Sequence, residues 1–388
     1  MSPRVTVVYH SRGGAMRALA EAAAEGAASF GARVRLRRVA DEAAPEAARS
    51  WPEAVASPDD VLWADGLVLA TPTYFGNVSS PFKRFLESAS ALWEEAPLAD
   101  RVVTGMTCAT SREGGREATL LTLYQTAYRW GCWALGTEPG DPLFQGVGAN
   151  PYGLSFTSGP DGRAGEPELT AAWTLGRRLA DASARARTDA GAAPAGLGHS
   201  RVTVVHCAED EPIRLLAQEC AAGARELGAR VRLRPVAGPG VPAESGLPGR
   251  TGGAPPAAPV TPQDVAWADA VVFGAPVRSG AVAAPLLGFL QALEPAAGPG
   301  PLAGKPAGGF VNAARSHSGG EPALLTLHQV LQHSGALVVP SGGAGPPVSP
   351  AGALPTADAL AAARQQGRRI ALAGDRLRRR TVPGGPRG

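Results

Sequence analysis

Three short segments in the first half of this 388-residue chain carry residue types that can hold an anion or a flat heterocycle. Residues 11–16 (Ser-Arg-Gly-Gly-Ala-Met) follow a β-branched run and open a helical pattern. A small turn at a helix start directs backbone N–H groups and the positive end of the helix dipole at one point, which suits an anion. Ser11 adds a hydroxyl and Arg12 a charge, so we predict an anion cradle; an ordinary strand-to-helix turn is the alternative.

The next two segments suit the two edges of a flat ring. Residues 71–78 (Thr-Pro-Thr-Tyr-Phe-Gly-Asn-Val) place two aromatics beside a glycine and an asparagine, where they can wall a heterocycle. The alternative is a proline-containing turn with two core aromatics. Residues 110–117 (Thr-Ser-Arg-Glu-Gly-Gly-Arg-Glu) are polar and glycine-rich, which permits close backbone approach to the other edge of the ring. In the turn at 150–153, Tyr152 can close over the site.

The hydrophobic pattern predicts the elements that position these segments. Strands are expected at residues 5–9, 34–39, 66–71, 101–107 and 132–136, with helical patterns between them and a closing helix at 166–185. Strands that alternate with helices through short loops predict the α/β class and a doubly wound parallel sheet with helices on both faces. Five strands fit the flavodoxin-like order 2-1-3-4-5, in which ligands bind at the carboxyl ends of the strands.

The chain repeats itself. Arg4 to Val8 recurs as Arg201 to Val205, 197 residues later, and Trp63-Ala64-Asp65 recurs as Trp267-Ala268-Asp269, 204 residues later. Ordered matches at a nearly constant offset predict two domains of one fold. We expect the first at 1–187, an Ala/Gly/Pro linker at 188–199, the second at 200–380 and a flexible tail at 381–388.

Composition narrows the function classes. A net charge of +3 does not favour nucleic acid as a partner. The four cysteines have no metal-ligand spacing, so we expect buried free thiols in a reducing cytoplasm and no metal site. Neither a signal peptide nor a membrane span is expected from the hydrophobic pattern.

The motifs of the first half resemble those of the WrbA family of flavodoxin-like NAD(P)H:quinone oxidoreductases, which bind FMN. Residues 71–78 match that family's TPTRFGNM-type loop, and Ala91-Leu92-Trp93 matches its GLW turn. Residues 114–117 match the end of its GTGGGQE loop, and 151–153 its PYG. The resemblance runs from Val5 to about Ala186 and continues more weakly through the second half.

The resemblance implies a role for each segment. The FMN phosphate would be held by Ser11, Arg12, Gly13, Gly14, Ala15 and Met16. The isoalloxazine would be held by Pro72, Thr73, Tyr74, Phe75, Gly76 and Asn77, together with Thr110, Ser111, Arg112, Glu113, Gly114 and Gly115. Trp93, offered from a neighbouring subunit, and Tyr152 would form the substrate pocket.

Some residues depart from the family's pattern. Gly13 stands where the family has a tyrosine near the nicotinamide, and Arg112 and Glu113 replace small residues. Arg129 and Trp130 replace a histidine pair, so Trp130 would stack near the flavin but cannot transfer a proton at neutral pH. We therefore assign no catalytic side chain, because flavin N5 performs the chemistry.

The resemblance implies hydride transfer from NAD(P)H, as co-substrate, through FMN to a quinone or similar acceptor. Two alternatives stay open: a flavodoxin-type electron carrier or flavin reductase, and a non-catalytic, partner-binding protein. Four flavodoxin domains assemble around shared sites in the family, so a homodimer of the tandem chain would be the equivalent.

The second copy has lost the cofactor residues. Glu209, Asp210 and Glu211 stand where a dianionic phosphate would bind, and like charges this close repel one another. These carboxylates can instead cap the helix themselves. The ring segment has become 275–281 (Ala-Pro-Val-Arg-Ser-Gly-Ala), without aromatics or asparagine. We predict one FMN per chain, in the first domain.

Overall fold

The computed structural model describes residues 2–93, 97–158, 162–187, 200–208, 210–236, 258–297, 300–313, 319–341 and 354–378. They form two compact units: residues 2–187 with 335–338, and residues 200–334 with 339–378. The predicted linker at 188–199 and the predicted tail at 381–388 lie outside the described residues. No helix in the described ranges is long and apolar enough to cross a membrane.

The first unit alternates strands and helices along the chain. Its strands are β1 (Arg4–Tyr9), β2 (Arg33–Arg38), β3 (Gly66–Tyr74), β4 (Asn77–Val78), β5 (Val102–Ala109), β6 (Trp133–Ala134) and β7 (Gly153–Thr157). Its helices are α1 (Ala15–Ser29), α2 (Glu46–Arg49), α3 (Pro58–Trp63), α4 (Ser80–Ser88), α5 (Arg116–Arg129), α6 (Pro142–Gly146) and α7 (Glu166–Ala186).

The parallel order β2-β1-β3-β5 fills the first four positions of the sheet, and both β6 and β7 pair with β5. The predicted order 2-1-3-4-5 is therefore confirmed. The single fifth strand predicted at 132–136 is wrong in its extent, since β6 pairs with Val102–Val103 and β7 with Gly105–Ala109. The chain leaves the sheet between these two short strands, and residues 142–146 form α6.

A tyrosine hydroxyl satisfies the backbone at this interruption. The N–H of Gly105 donates to Tyr124 Oη at 3.1 Å, and the Tyr124 hydroxyl donates to the carbonyl of Tyr152 at 2.6 Å. Both backbone groups are thereby paired where the ladder is broken, as buried polar groups require. The hydrophobic pattern could not reveal this break, because it depends on a side chain from α5.

Helices α1 and α7 pack through two reciprocal glycines. A Cβ atom on Gly26 would lie 1.9 Å from the carbonyl oxygen of Trp173, and one on Gly176 would lie 2.0 Å from that of Ala23. These distances are far below van der Waals contact, so each glycine permits the close approach of the opposite backbone.

The second unit repeats this architecture. Its strands are β8 (Arg201–Cys207), β9 (Arg230–Val236), β10 (Ala270–Arg278), β11 (Ala281–Val282) and β12 (Pro306–Asn312). Its helices are α8 (Glu211–Glu226), α9 (Pro262–Trp267), α10 (Ala284–Ala297), α11 (Gly320–His333) and α12 (Ala357–Arg378). The parallel order β9-β8-β10-β12 matches the first four positions of the first sheet. Strand β13 (Leu337–Val338) belongs to the first unit, where Val338 pairs antiparallel with Ala134.

The packing details are duplicated as well. In the second unit, a Cβ on Gly223 would lie 2.0 Å from the carbonyl oxygen of Arg364, and one on Gly367 would lie 1.9 Å from that of Cys220. Arg35 stacks on Trp63 at 4.2 Å from the ring centre, and Arg232 stacks on Trp267 at 4.1 Å. The scaffold has therefore been kept in both copies.

We predict that Gly223→Ala destabilises the second unit. The new methyl group would have to push α12 away, and overpacking of this kind costs about 1–3 kcal/mol. Gly288→Ala in α10 is the matched control, because nothing lies within 4 Å of its Cβ position and alanine favours a helix. Urea denaturation followed by circular dichroism measures both; equal midpoints for the two variants would contradict the prediction.

Candidate functional site

The loops after β1, β3 and β5 lie along one edge of the first sheet. β3 is the middle strand of the three, with Tyr9 registered beside Ala70 and Cys108 beside Pro72. Because the three strands are parallel and adjacent, their carboxyl ends bring the three predicted segments together.

The first loop leaves the start of α1 open. Gly14 is the N-cap residue with φ 92°, a left-handed conformation that glycine adopts without strain. Its N–H donates to Ser11 Oγ at 3.1 Å. No side chain caps α1, and its first turn contains no acidic residue. The N–H groups of that turn and the helix dipole therefore suit an external anion.

Next to this loop lies a charged cluster that the sequence did not reveal. His10 Nε2 lies 3.0 Å from Asp41 Oδ2, and Arg12 Nε donates to the same oxygen at 2.7 Å. Asp41 Oδ1 accepts the N–H of Ala43 at 3.1 Å. Asp41 follows β2, and only the pairing of β1 with β2 brings it beside His10.

Electrostatics fix the charge states within this cluster. Burial raises the pKa of Asp41, but hydrogen bonds from Arg12 and His10, with the charge of Arg12, outweigh it and lower the pKa to about 2. Burial lowers the pKa of His10 below its ordinary value, against the opposing hydrogen bond and charge of Asp41. At neutral pH the carboxylate is therefore ionised and the imidazole is neutral in the free protein.

The second segment is a β-hairpin formed by β3 and β4. Tyr74 pairs with Asn77, and the two central residues have positive φ angles, 51° at Phe75 and 75° at Gly76, as in a type I′ turn. Phe75 is fully exposed and Tyr74 is 43% exposed. This exposure excludes the alternative that the two aromatics belong to the core.

The third segment touches that hairpin. Gly115 is the N-cap residue of α5 with φ 83°, and a Cβ on it would lie 2.7 Å from Gly76 Cα. Residues 110–113 are exposed. The Arg112 carbonyl accepts a hydrogen bond from Arg116 at 3.0 Å. The two glycines thus hold the exposed residues of the third segment against the aromatic turn.

A cleft of about 520 Å³ joins the first loop to the hairpin. Among its lining residues are His10, Arg12, Tyr74, Asn77 and Lys83. Its volume lies within the range of small-molecule pockets. Two cationic side chains and one aromatic ring in the same cleft suit an anionic ligand with a flat ring.

Three further residues of the predicted site are Trp93, Tyr152 and Trp130. Trp93 ends a 3₁₀ turn, Ser90–Trp93, just after α4, and its side chain lies outside the described residues. The partly buried Tyr152 immediately precedes β7, and its N–H donates to Asn150 Oδ1 at 3.0 Å. Trp130 is only 2% exposed and caps the carboxyl end of α5. Three residues later, Trp133 is registered beside Val102, at the start of β5. Within one chain, the fold therefore places Trp130 at the opposite edge of the sheet from the three loops.

The second unit repeats the backbone of the hairpin, but a carboxylate caps its first long helix, α8. Asp210 caps α8 by accepting the N–H of Ile213 at 3.0 Å, and Arg278 lies 3.7 Å from the same carboxylate. The expectation that a carboxylate caps this helix is therefore confirmed for Asp210. Glu211 accepts from Arg214 Nε at 2.8 Å, whereas Glu209 lies outside the described residues.

The hairpin of the second unit is conserved only in its backbone. Ser279 and Gly280 have φ angles of 50° and 77°, and a Cβ on Gly319 would lie 2.8 Å from Gly280 Cα. The turn and its contact are thus those of the first unit, without the aromatic side chains. Residues 314–318 of its third loop lie outside the described residues. Among the residues that the structure describes, no cluster could hold a metal ion.

Comparisons with known proteins show which families and chains this protein resembles. The model of a family described as NADPH-dependent FMN reductase matches residues 3–138 and 208–345. An NAD(P)H dehydrogenase (quinone) from Deinococcus radiodurans is 36% identical over 170 residues, covering 40% of this chain and 83% of that protein. One from Caulobacter vibrioides is 30% identical over 190 residues, covering 46% and 96%. A WrbA-like flavodoxin structure from Agrobacterium tumefaciens covers 48% of this chain and 100% of its own, with 26% identity and a TM-score of 0.34.

We predict that Asp41→Asn lowers the free energy of unfolding at neutral pH but not in strong acid. The pKa of Asp41 is depressed, so its stabilising contribution is present above the unfolded pKa and is lost as the pH falls through the folded value. The shift from 3.8 to about 2 corresponds to roughly 2 kcal/mol at neutral pH. Denaturation at pH 7 and near pH 2 measures this, with the exposed Asp59→Asn as control; a difference independent of pH would contradict it.

Proposed function

This chain belongs to the NADPH-dependent FMN reductase family, and we propose that its first unit binds one FMN and passes hydride from NAD(P)H to a quinone. The observation that carries this proposal is the contrast between two helix starts in the same chain. The N-terminus of α1 is capped by a left-handed glycine and has no acidic residue in its first turn, whereas Asp210 caps the N-terminus of α8 with its side chain.

The residues of the first unit fit FMN at both ends. The phosphate would lie at Ser11 to Met16, where a turn without a side-chain cap offers N–H groups and the helix dipole. Exposed Tyr74 and Phe75 would wall the ring. Residues 110–115 would approach its other edge, since Gly115 brings them against Gly76. Trp130 is left out of the proposed site because it is buried at the other edge of the sheet.

When bound, FMN accepts hydride from NAD(P)H and delivers two electrons to the acceptor. The chain's own residues bind and orient the cofactor and both substrates. Gly76 and Gly115 fix the backbone N–H groups of the hairpin turn and of the third segment. These groups need not reorganise, so they would stabilise negative charge that develops on the ring. A quinone acceptor is supported by the names of the relatives.

The second unit would not bind FMN. It keeps the turn at Ser279 and Gly280 but lacks the aromatics, and its helix start already holds a carboxylate. Its proposed role is to pack as a partner domain, so that a homodimer of the tandem chain presents four flavodoxin-like domains. Light scattering at micromolar concentration should give twice the chain mass, and a strict monomer would refute this assembly. The four cysteines are buried and none is in a disulfide, which fits the reducing cytoplasm that we propose.

We predict that the wild-type chain binds FMN at one per chain and that Gly13→Asp loses at least tenfold in affinity. The Cβ position of Gly13 has nothing within 4 Å, so the variant should fold, while its carboxylate would reproduce the closed helix start of the second unit. A unit charge ~4 Å from a phosphate of charge about −1.5 to −2 is repelled by roughly 1.5–2 kcal/mol even at the dielectric constant of water, which corresponds to at least a tenfold loss in affinity. Absorbance and flavin fluorescence titrations measure both values.

Gly13→Asn is the matched neutral control and should bind more tightly than Gly13→Asp. A stoichiometry of two would show that Asp210 does not close the second site. A chain that binds no FMN would refute the proposed function.

We predict that the FMN-loaded protein oxidises NAD(P)H much faster when benzoquinone is present. Both substrates would use the same exposed face of the ring, so initial rates at several quinone concentrations should give the parallel lines of a ping-pong mechanism. Phe75→Ala should raise KM more than it lowers kcat, because this fully exposed side chain would contact the substrates and does not belong to the core. A rate that quinone leaves unchanged would favour an electron carrier or a flavin reductase instead.

A further inference from the structure

His10 has a buried ring nitrogen without a partner. The residue is 1% exposed, its main-chain N–H donates to the carbonyl of Ala70 at 2.9 Å, and Nε2 faces Asp41. Nδ1 is buried and makes no hydrogen bond. A buried polar atom without a hydrogen bond costs about 1–3 kcal/mol. Nδ1 of His10 is therefore expected to bond to a group that the described residues do not supply.

Asp41 determines what this nitrogen can do. An ionised carboxylate accepts only, so Nε2 must carry a proton towards it. Nδ1 is then an acceptor in the neutral imidazole and becomes a donor when His10 takes up a second proton. The switch between the two states needs one proton and no movement of the ring.

The surroundings of His10 favour an anionic partner. The cleft that His10 lines also contains Arg12 from the first loop, Tyr74 from the hairpin and Lys83 from α4. None of the described residues that line it carries a carboxylate. Asp41, from the loop after β2, lies on the other nitrogen of the imidazole and is shared with Arg12. His10 also directly precedes Ser11, the first residue of the proposed phosphate loop.

We propose that His10 binds the phosphate of FMN as an imidazolium and takes up one proton when the phosphate enters; this rests on the proposed function. A phosphate monoester carries a charge of about −1.5 to −2 at neutral pH, and an opposite charge within ~4–6 Å favours the protonated imidazole. Nδ1–H then donates to a phosphate oxygen while Nε2–H donates to Asp41. The proton comes from solvent, and no covalent bond is made or broken.

The second copy supports this assignment. His10 corresponds to Cys207, 197 residues later, so the imidazole is missing in the unit whose helix start is closed by Asp210. Tyr9, the residue before His10, corresponds to His206. The His206 side chain is buried, and its Nδ1 lies 3.3 Å from the carbonyl oxygen of Cys207. His206 is therefore a matched buried histidine without a role in the proposed site.

Isothermal titration calorimetry with FMN at pH 7.5, in two buffers of different ionisation enthalpy, measures the protons taken up per FMN bound. For the wild type we expect net uptake, which His10→Gln should reduce by up to about one proton. His206→Gln should leave the uptake unchanged. As the pH is lowered from 8 to 6, the Kd of the wild type for FMN should fall more steeply than the Kd of His10→Gln. The difference between the two should grow by up to about tenfold for each pH unit.

Riboflavin provides a second test on the unaltered protein. It lacks the phosphate, so its binding should take up no proton even where FMN binding does. This comparison holds even if His10→Gln does not fold, which circular dichroism would reveal. FMN binding without uptake, or equal uptake with riboflavin or in His10→Gln, would overturn the role of His10 and leave the proposed function standing. A protein that binds no FMN would overturn both.

Discussion

The site depends on the contact between two glycines in left-handed conformations. Gly76 lies in the hairpin after β3 and Gly115 caps α5 after β5, and a Cβ on Gly115 would lie 2.7 Å from Gly76 Cα. The contact brings two loops from neighbouring strands within reach of one ring. It also holds Phe75, the residue before Gly76, in a conformation that costs an ordinary side chain roughly 1–2 kcal/mol. Strain of this kind persists only where the surrounding structure fixes it.

The same contact in the second unit separates architecture from chemistry. Gly280 and Gly319 repeat it, so the hairpin and the helix start keep their relative positions. Only the side chains around them have changed, from two aromatics to Arg278 and Ser279. Arg278 lies 3.7 Å from Asp210, so a residue of the hairpin helps to neutralise the carboxylate at the start of α8. The second unit is therefore a folded domain whose helix dipole is satisfied internally.

Local patterns predicted what depends on neighbours in sequence. Strand order, helix starts and the three loops followed from hydrophobic periodicity, glycines and the duplication, and the order 2-1-3-4-5 is confirmed. The division of the fifth strand was missed because it depends on Tyr124, which reaches Gly105 across 19 residues. Asp41 was missed for the same reason, since nothing near it in the sequence marks its contact with His10. Trp130 lies at the carboxyl end of α5, and α5 begins at the third segment and runs back along the sheet. The direction of this helix therefore places Trp130 away from the three loops.

Asp41 links His10 and Arg12, the two basic side chains beside the proposed phosphate site. In the free protein this carboxylate accepts from both His10 and Arg12, and its own negative charge satisfies the guanidinium. Arg12 is exposed on one side, so a phosphate in the first loop can attract it without unfolding anything. Any weakening of the contact between Arg12 and Asp41 leaves His10 as the main partner of the carboxylate, which favours the imidazolium. The approach of a phosphate and the partial release of Arg12 would therefore act in the same direction on the pKa of His10, because the first would add negative charge near the ring and the second would remove positive charge from it.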